Sequence, residues 1–158
     1  MDGYNIIFAW EELTRLARQD LDVARKSLMD LLSNYQGYRK NRVILVFDAY
    51  KVPQGTGSVT RYHNIHVVYT KQAETADAYI EKASYALSKE GGRVRVATSD
   101  AAEQFIILGH GALRVSAQDL RSEVESVEGE IAAILRRNNV RLPSGEMEAA
   151  FRRAEEKK

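Results

Sequence analysis

An α/β domain with a mainly parallel sheet is the fold class this sequence predicts. Apolar runs of strand length alternate with segments whose apolar residues recur every three or four positions. Only two Pro occur in 158 residues, which leaves little room for linkers. Strands alternating with helices imply parallel βαβ units. One domain is expected at this length, and such a chain buries a sizeable core without staples.

The elements follow in order. Leu21, Ala24, Leu28, Leu31 and Leu32 predict a helix from Asp20 to Tyr35, ended by Gly37. Arg42 to Phe47 is a nearly continuous apolar run, as in a strand covered on both faces. Pro53, Gly55 and Gly57 mark Ala49 to Thr60 as a flexible loop. Ile65 to Tyr69 is a second strand. Glu74 to Lys89 is a helix with Ala76, Ile80, Ala83 and Leu87 inward, stopped by Gly91-Gly92. Arg93 to Thr98 is a third strand, Asp100 to Leu108 a short helix, and Ala112 to Val115 a short strand. Ser116 to Arg137 is a long helix with Asp119 in its first turn. Its stripe of Val124, Val127, Ile131, Ile134 and Leu135 is expected in the core, as are Phe8 and Trp10. Residues 1–137 form the domain, and 138–158 a charged, helical C-terminal tail.

Composition excludes several chemistries. The chain has no Cys, so disulfides, cysteine-ligated metals and thiol nucleophiles are closed. A reducing cytoplasm fits. No apolar run approaches a membrane span, and the start lacks a signal-peptide pattern. Walker A, dinucleotide-glycine and nucleophile-elbow motifs are missing. His63 and His66 read as surface or RNA-facing, and His110 as part of a tight turn.

Ligands bind α/β sheets beyond the carboxyl ends of the strands, and acids collect there. Asp48 and Asp100 each follow a strand. Glu74, Asp77 and Glu81 follow another along one helical face. Asp2 is a further candidate. Each acid alone is explained as a cap, a turn former or a solvated residue. Together they repel unless protons or cations intervene, and hard oxygen ligands suit Mg²⁺ or Mn²⁺. Such ions promote in-line phosphodiester displacement. Asn5, Thr98 and Ser99 are placed to orient ligands. A phosphatase with Asp48 as nucleophile scores lower, because Tyr50 stands where a second acid belongs.

Several stretches carry a family resemblance: Asp2-Gly-Tyr-Asn-Ile-Ile with Ala9-Trp10, Asn41 to Ala49, Val68-Tyr-Thr-Lys71, Glu74-Thr-Ala-Asp77 with Ile80-Glu81, Val96 to Asp100, and Gly109 to Ala117. In that order and spacing the sequence resembles the YacP-like branch of the NYN domains, within the PIN-like nuclease superfamily. The resemblance implies a three-layer α/β/α sandwich and a metal-dependent endoribonuclease. It also implies a ribosome-associated enzyme that cleaves mRNA as an expectation for this chain. By matching positions, Asp2, Asp77 and Asp100 form the acidic metal site, Asp48 is a further acid, and Asn5, Glu74 and Ser99 support. In the family an apolar central strand precedes the Asp-Gly-Tyr-Asn motif, whereas only Met1 precedes Asp2 here. The expectation is an upstream start or a truncated version. In the chain as it stands, the sheet would lack its central strand and Asp2 would sit on a mobile terminus.

The net charge of +1, from 23 basic and 22 acidic residues, conceals a segregation. Residues 31–73 contain Arg39, Lys40, Arg42, Lys51, Arg61 and Lys71 against Asp48 alone, with Tyr35, Tyr38, Tyr50, Tyr62 and Tyr69 interleaved. From Asp119 to Glu130 acids dominate. Lys and Arg neutralise phosphates and exposed Tyr stacks on unpaired bases. Arg39, Lys40, Arg61 and Lys71 are the preferred phosphate contacts, and Arg114 is a further candidate. The leading expectation is an endoribonuclease acting on single-stranded RNA. The alternative is a non-catalytic RNA- or ribosome-binding module.

Overall fold

The computed structural model describes residues 1–48, 56–98 and 112–141. They contain α1 (Gly3–Ala9), α2 (Glu11–Gln19), α3 (Leu21–Arg39), β1 (Ile44–Phe47), β2 (Thr56–Tyr62), β3 (Ile65–Lys71), α4 (Ala76–Lys89), β4 (Arg95–Ala97), β5 (Leu113–Val115) and α5 (Ala117–Arg141). β1 pairs with β3 in parallel, and β2 adds antiparallel to the far edge of β3. β4 and β5 form a second parallel pair.

Met1 and Asp2 stitch these two sheets together. The terminal ammonium donates to the Ile44 carbonyl at 2.8 Å. Val46 N–H donates to the Met1 carbonyl at 2.9 Å, and Asp2 N–H to the Ala97 carbonyl at 3.2 Å. Asp2 therefore lies between β1 and β4, only 8% exposed. This corrects the expectation of a mobile terminus: backbone bonds on two sides hold the residue. Beside Met1, towards the amino ends of the strands, β1 and β4 flank a cavity of about 490 Å³. Asp2, Asp48 and Asp77 do not line it.

Alternate strand residues face opposite layers, as a sheet buried on both faces requires. Leu45, Phe47 and Val67 join Ile6, Trp10, Leu13, Leu28 and Val124 on the side of α1, α2, α3 and α5. Val46, Val68 and Val96 join Ala76 and Ile80 on the side of α4. The result is a helix–sheet–helix sandwich. Trp10 is buried as predicted, and its Nε1–H donates to the Ala117 carbonyl at 2.8 Å.

Several elements differ from the sequence reading. The predicted loop up to Thr60 is a strand from Thr56 onward, because Ser58, Thr60 and Tyr62 find ladder partners on β3; residues 49–55 lie outside the described residues. α3 passes through Gly37 and ends at Lys40, whose left-handed backbone places its N–H on the Gln36 carbonyl at 2.7 Å. Residues 3–19, given no element above, form two helices capped by Asp2 and led by Glu11 and Glu12. Phe8 is 49% exposed, and Ile134 and Leu135 are also exposed. Among the described residues α5 outruns the packing surface after Ile131, and Ile134 and Leu135 meet no core there. The predicted helix 100–108 and the segment 142–158 lie outside the described residues.

One glycine is held by packing. A Cβ on Gly3 would lie 2.6 Å from Phe47 Cδ1 and closer still to Cε1, and that ring is fully buried. Gly3→Ala must displace the ring or the helix. We expect a loss of about 2 kcal/mol, as for overpacked cores. A thermal melt would show it as a Tm about 5 °C lower; an unchanged Tm would mean that the ring yields freely.

Candidate active site

Three of the predicted acids meet at the carboxyl edge of the sheet. Asp48 leaves the end of β1. Asp2 is level with Val46 at the sheet centre and caps α1, its Oδ1 accepting from Asn5 N–H at 3.3 Å. Asp77 stands in the first turn of α4, just after the cap Thr75, whose hydroxyl accepts from Ala78 N–H at 3.1 Å. Asp48 Oδ2 accepts from Ala76 N–H at 3.4 Å. That bond ties the end of β1 to the start of α4.

Asp2 and Asp77 face each other within hydrogen-bonding reach. Burial pushes the Asp2 carboxyl up to about 6. The charge and hydrogen bond of Asp77 push it the same way, while Asn5 N–H and the terminal ammonium oppose. A buried carboxylate beside a second one needs a proton or a cation. These hard oxygen donors fit a divalent ion. Among the described residues, no three His, Asp or Glu side chains are grouped to hold a metal. Asp100 and Ser99 lie outside the described residues.

The supporting candidates divide. Asn5 is half-buried in the first turn of α1, and its backbone serves the Asp2 cap. Glu74 precedes the α4 cap, and its carboxylate pairs with Lys82 Nζ at 2.7 Å. Thr98 is fully buried, its N–H on the Val115 carbonyl.

The basic residues do not share one place. Lys71 ends β3, exposed, at the same sheet edge as Asp48. Arg39 and Lys40 precede β1, and Arg61 pairs opposite His66 near the start of β3. Those three belong to the opposite edge. Arg114 is exposed at the middle of β5. The tyrosines of the basic stretch are largely engaged. Tyr35 is buried and donates to Glu123. Tyr38 donates to Glu130, Tyr62 to Asp30, and Tyr69 stacks on Phe47. Tyr50 and Lys51 lie outside the described residues.

Sequence reasoning missed Tyr4 and Arg25. Arg25 Nη1 donates to Tyr4 Oη at 3.0 Å, and both residues are buried. The available signal was an Arg set between Ala24 and Leu28, inside the apolar pattern of α3.

Comparison with known proteins bears on this arrangement. Residues 1–157 match the family model of the YacP-like NYN domain. The protein YacP of Bacillus subtilis (strain 168) is 42% identical over 147 residues, covering 93% of this chain and 86% of that one. The crystal structure of Rae1 (YacP) from Bacillus subtilis matches with a TM-score of 0.79 at 40% identity, over 98% of this chain and 88% of that one. A mutant form of the same protein matches with a TM-score of 0.78 at 40% identity, over 92% and 86%.

Proposed function

The chain belongs to the YacP-like NYN domain family, a nuclease-like domain of PIN-like fold, and from that premise we propose that it is a metal-dependent endoribonuclease acting on single-stranded RNA. The observation that carries the reading is the close approach of Asp2 and Asp77 at the carboxyl edge of the sheet. A buried carboxylate with a second carboxylate facing it costs stability when both are charged. A cation-dependent site is a physical reason to keep them.

Asp2 and Asp77 would hold Mg²⁺ or Mn²⁺, with Asp100 as the third ligand that the resemblance implies. The ion would supply positive charge to the phosphodiester oxygens and lower the pKa of bound water. The chain's own residues do the rest. Asn5 N–H and the α1 cap fix the Asp2 carboxylate. Ala76 N–H anchors Asp48 beside them, where it assists the site. Ser99 belongs to the supporting set by the same resemblance. Messenger RNA is the proposed substrate, the ribosome a proposed partner and the cytoplasm the proposed location. Among the described residues no helix is long and apolar enough to cross a membrane.

The test is cleavage of single-stranded RNA with Mg²⁺ or Mn²⁺, and with EDTA. Metal-dependent internal cleavage is expected. Cleavage indifferent to EDTA overturns the metal site. RNA or ribosome binding with no cleavage in either metal favours the non-catalytic module instead.

The placement of the basic residues gives a second expectation. Lys71 lies at the acids' edge, about 17 Å along β3 from the level of Arg61. Lys71→Ala should raise KM for RNA several-fold and reduce the salt slope of binding by about 0.7, the value for one phosphate contact on a single strand. Arg61→Ala should do less. Equal effects in salt titrations would mean that the bound RNA runs the length of the sheet.

A further inference from the structure

Asp77 stands in the first turn of α4, and two side chains hold that turn. Thr75 Oγ1 accepts from Ala78 N–H at 3.1 Å, and Asp48 Oδ2 accepts from Ala76 N–H at 3.4 Å. The first N–H groups of a helix have no partner within it, so both bonds answer a need of α4 itself. They differ in reach. Thr75 is the helix's own cap, whereas Asp48 is half-buried at the end of β1, 28 positions before Ala76. Asp48 therefore joins the head of α4 to the sheet.

Packing alone does not supply that join. Ala76 and Ile80 meet Val46, Val68 and Val96, which sets the face that α4 turns to the sheet. Apolar contact is non-directional, so it leaves the head of the helix free to shift. A hydrogen bond on the residue next to Asp77 is directional and removes that freedom. Asp48 is also not grouped with the other two acids as a third ligand. Asp2, Asp48 and Asp77 are all described, yet among the described residues no three His, Asp or Glu side chains are grouped to hold a metal.

We propose that Asp48 is a positioning residue, whose carboxylate oxygen holds the first turn of α4 so that Asp77 faces Asp2. What it supplies is an acceptor atom in that place and not a charge for the ion. Its effect on turnover rests on the endoribonuclease reading, but its effect on α4 does not. Asp48→Ala removes the acceptor, and Asp48→Asn keeps an acceptor oxygen without the charge. The amide resonance of Ala76 should move in Asp48→Ala and return towards its wild-type position in Asp48→Asn. With RNA as substrate, Asp48→Ala should lower kcat about 10-fold, as for side chains that orient a metal ligand, with KM unchanged. It should also weaken Mn²⁺ binding, and Asp48→Asn should recover most of both losses. A metal ligand would lose both in either variant. Collapse of cleavage and Mn²⁺ binding in folded Asp48→Asn protein therefore overturns the proposal, and is readable even if Asp48→Ala fails to fold. So does an Asp48→Ala protein that merely melts earlier, with wild-type kcat, Mn²⁺ affinity and Ala76 resonance below its Tm. A wild type that cleaves no RNA would remove the endoribonuclease reading, and the Ala76 resonance with Mn²⁺ affinity would then decide the role of Asp48.

Discussion

Asp77→Asn is expected to lower the rate of RNA cleavage at least about 100-fold while leaving the fold in place. Changing a residue that only orients a metal ligand already costs about 10- to 100-fold, and Asp77 would be a ligand itself. The fold should survive because Asp77 is exposed and α4 is capped by Thr75. The helix would lose one favourable first-turn charge, about 0.5 kcal/mol. Asn keeps the size and one acceptor oxygen but removes the negative charge that faces Asp2. Two readouts separate chemistry from folding. Single-turnover cleavage should collapse, and Mn²⁺ titration should show weaker binding. Far-UV circular dichroism and the melt should stay close to wild type. Full cleavage by the variant, in the same metal, would remove Asp77 from the site.

The legible part of this molecule is the part that repeats a pattern. β1 and β3 are central strands buried on both faces, and their apolar runs announce it. α4 shows its inward Ala76 and Ile80 at helical spacing. The acids after β1 and at the head of α4 follow from topology, because parallel strands all end at one edge. The unread part depends on partners distant in sequence. Among the described residues β2 is an edge strand paired on one side only, so its polar, Gly-bearing sequence has no burial period and resembles a loop. Gly37 keeps a helical backbone inside α3, and the left-handed residue that ends the helix is Lys40. Arg25 reads as a solvated charge until Tyr4, 21 positions away, is placed against it. Asp2 reads as a terminal residue because its burial comes from β1 and β4, both far along the chain.

That burial gives the second large effect, on stability and its pH dependence. Asp2 titrates at about 6 in the folded chain against an ordinary value of 3.8, chiefly through burial. The folded state therefore holds this proton more tightly than the unfolded state does. As pH rises from about 4 to about 6, the unfolded chain ionises first, and Asp2 withdraws stability; above that window the penalty is constant. Two pH units correspond to on the order of 3 kcal/mol. Asn is as good an N-cap as Asp, so Asp2→Asn keeps the bond to Asn5 N–H and removes the penalty. In EDTA at pH 8 the variant should melt about 5–10 °C above wild type, and the gap should close by pH 4. Mg²⁺ or Mn²⁺ should raise the wild-type Tm at pH 8 by binding the folded state alone, and should raise that of the variant much less. The same variant should lose cleavage, since it lacks a proposed ligand. Parallel stability curves from pH 4 to pH 8 would mean that the folded protein already stabilises the ionised Asp2 carboxylate as well as water does. The cation would then have no unbalanced charge to answer, and the physical case for the metal site would go with it.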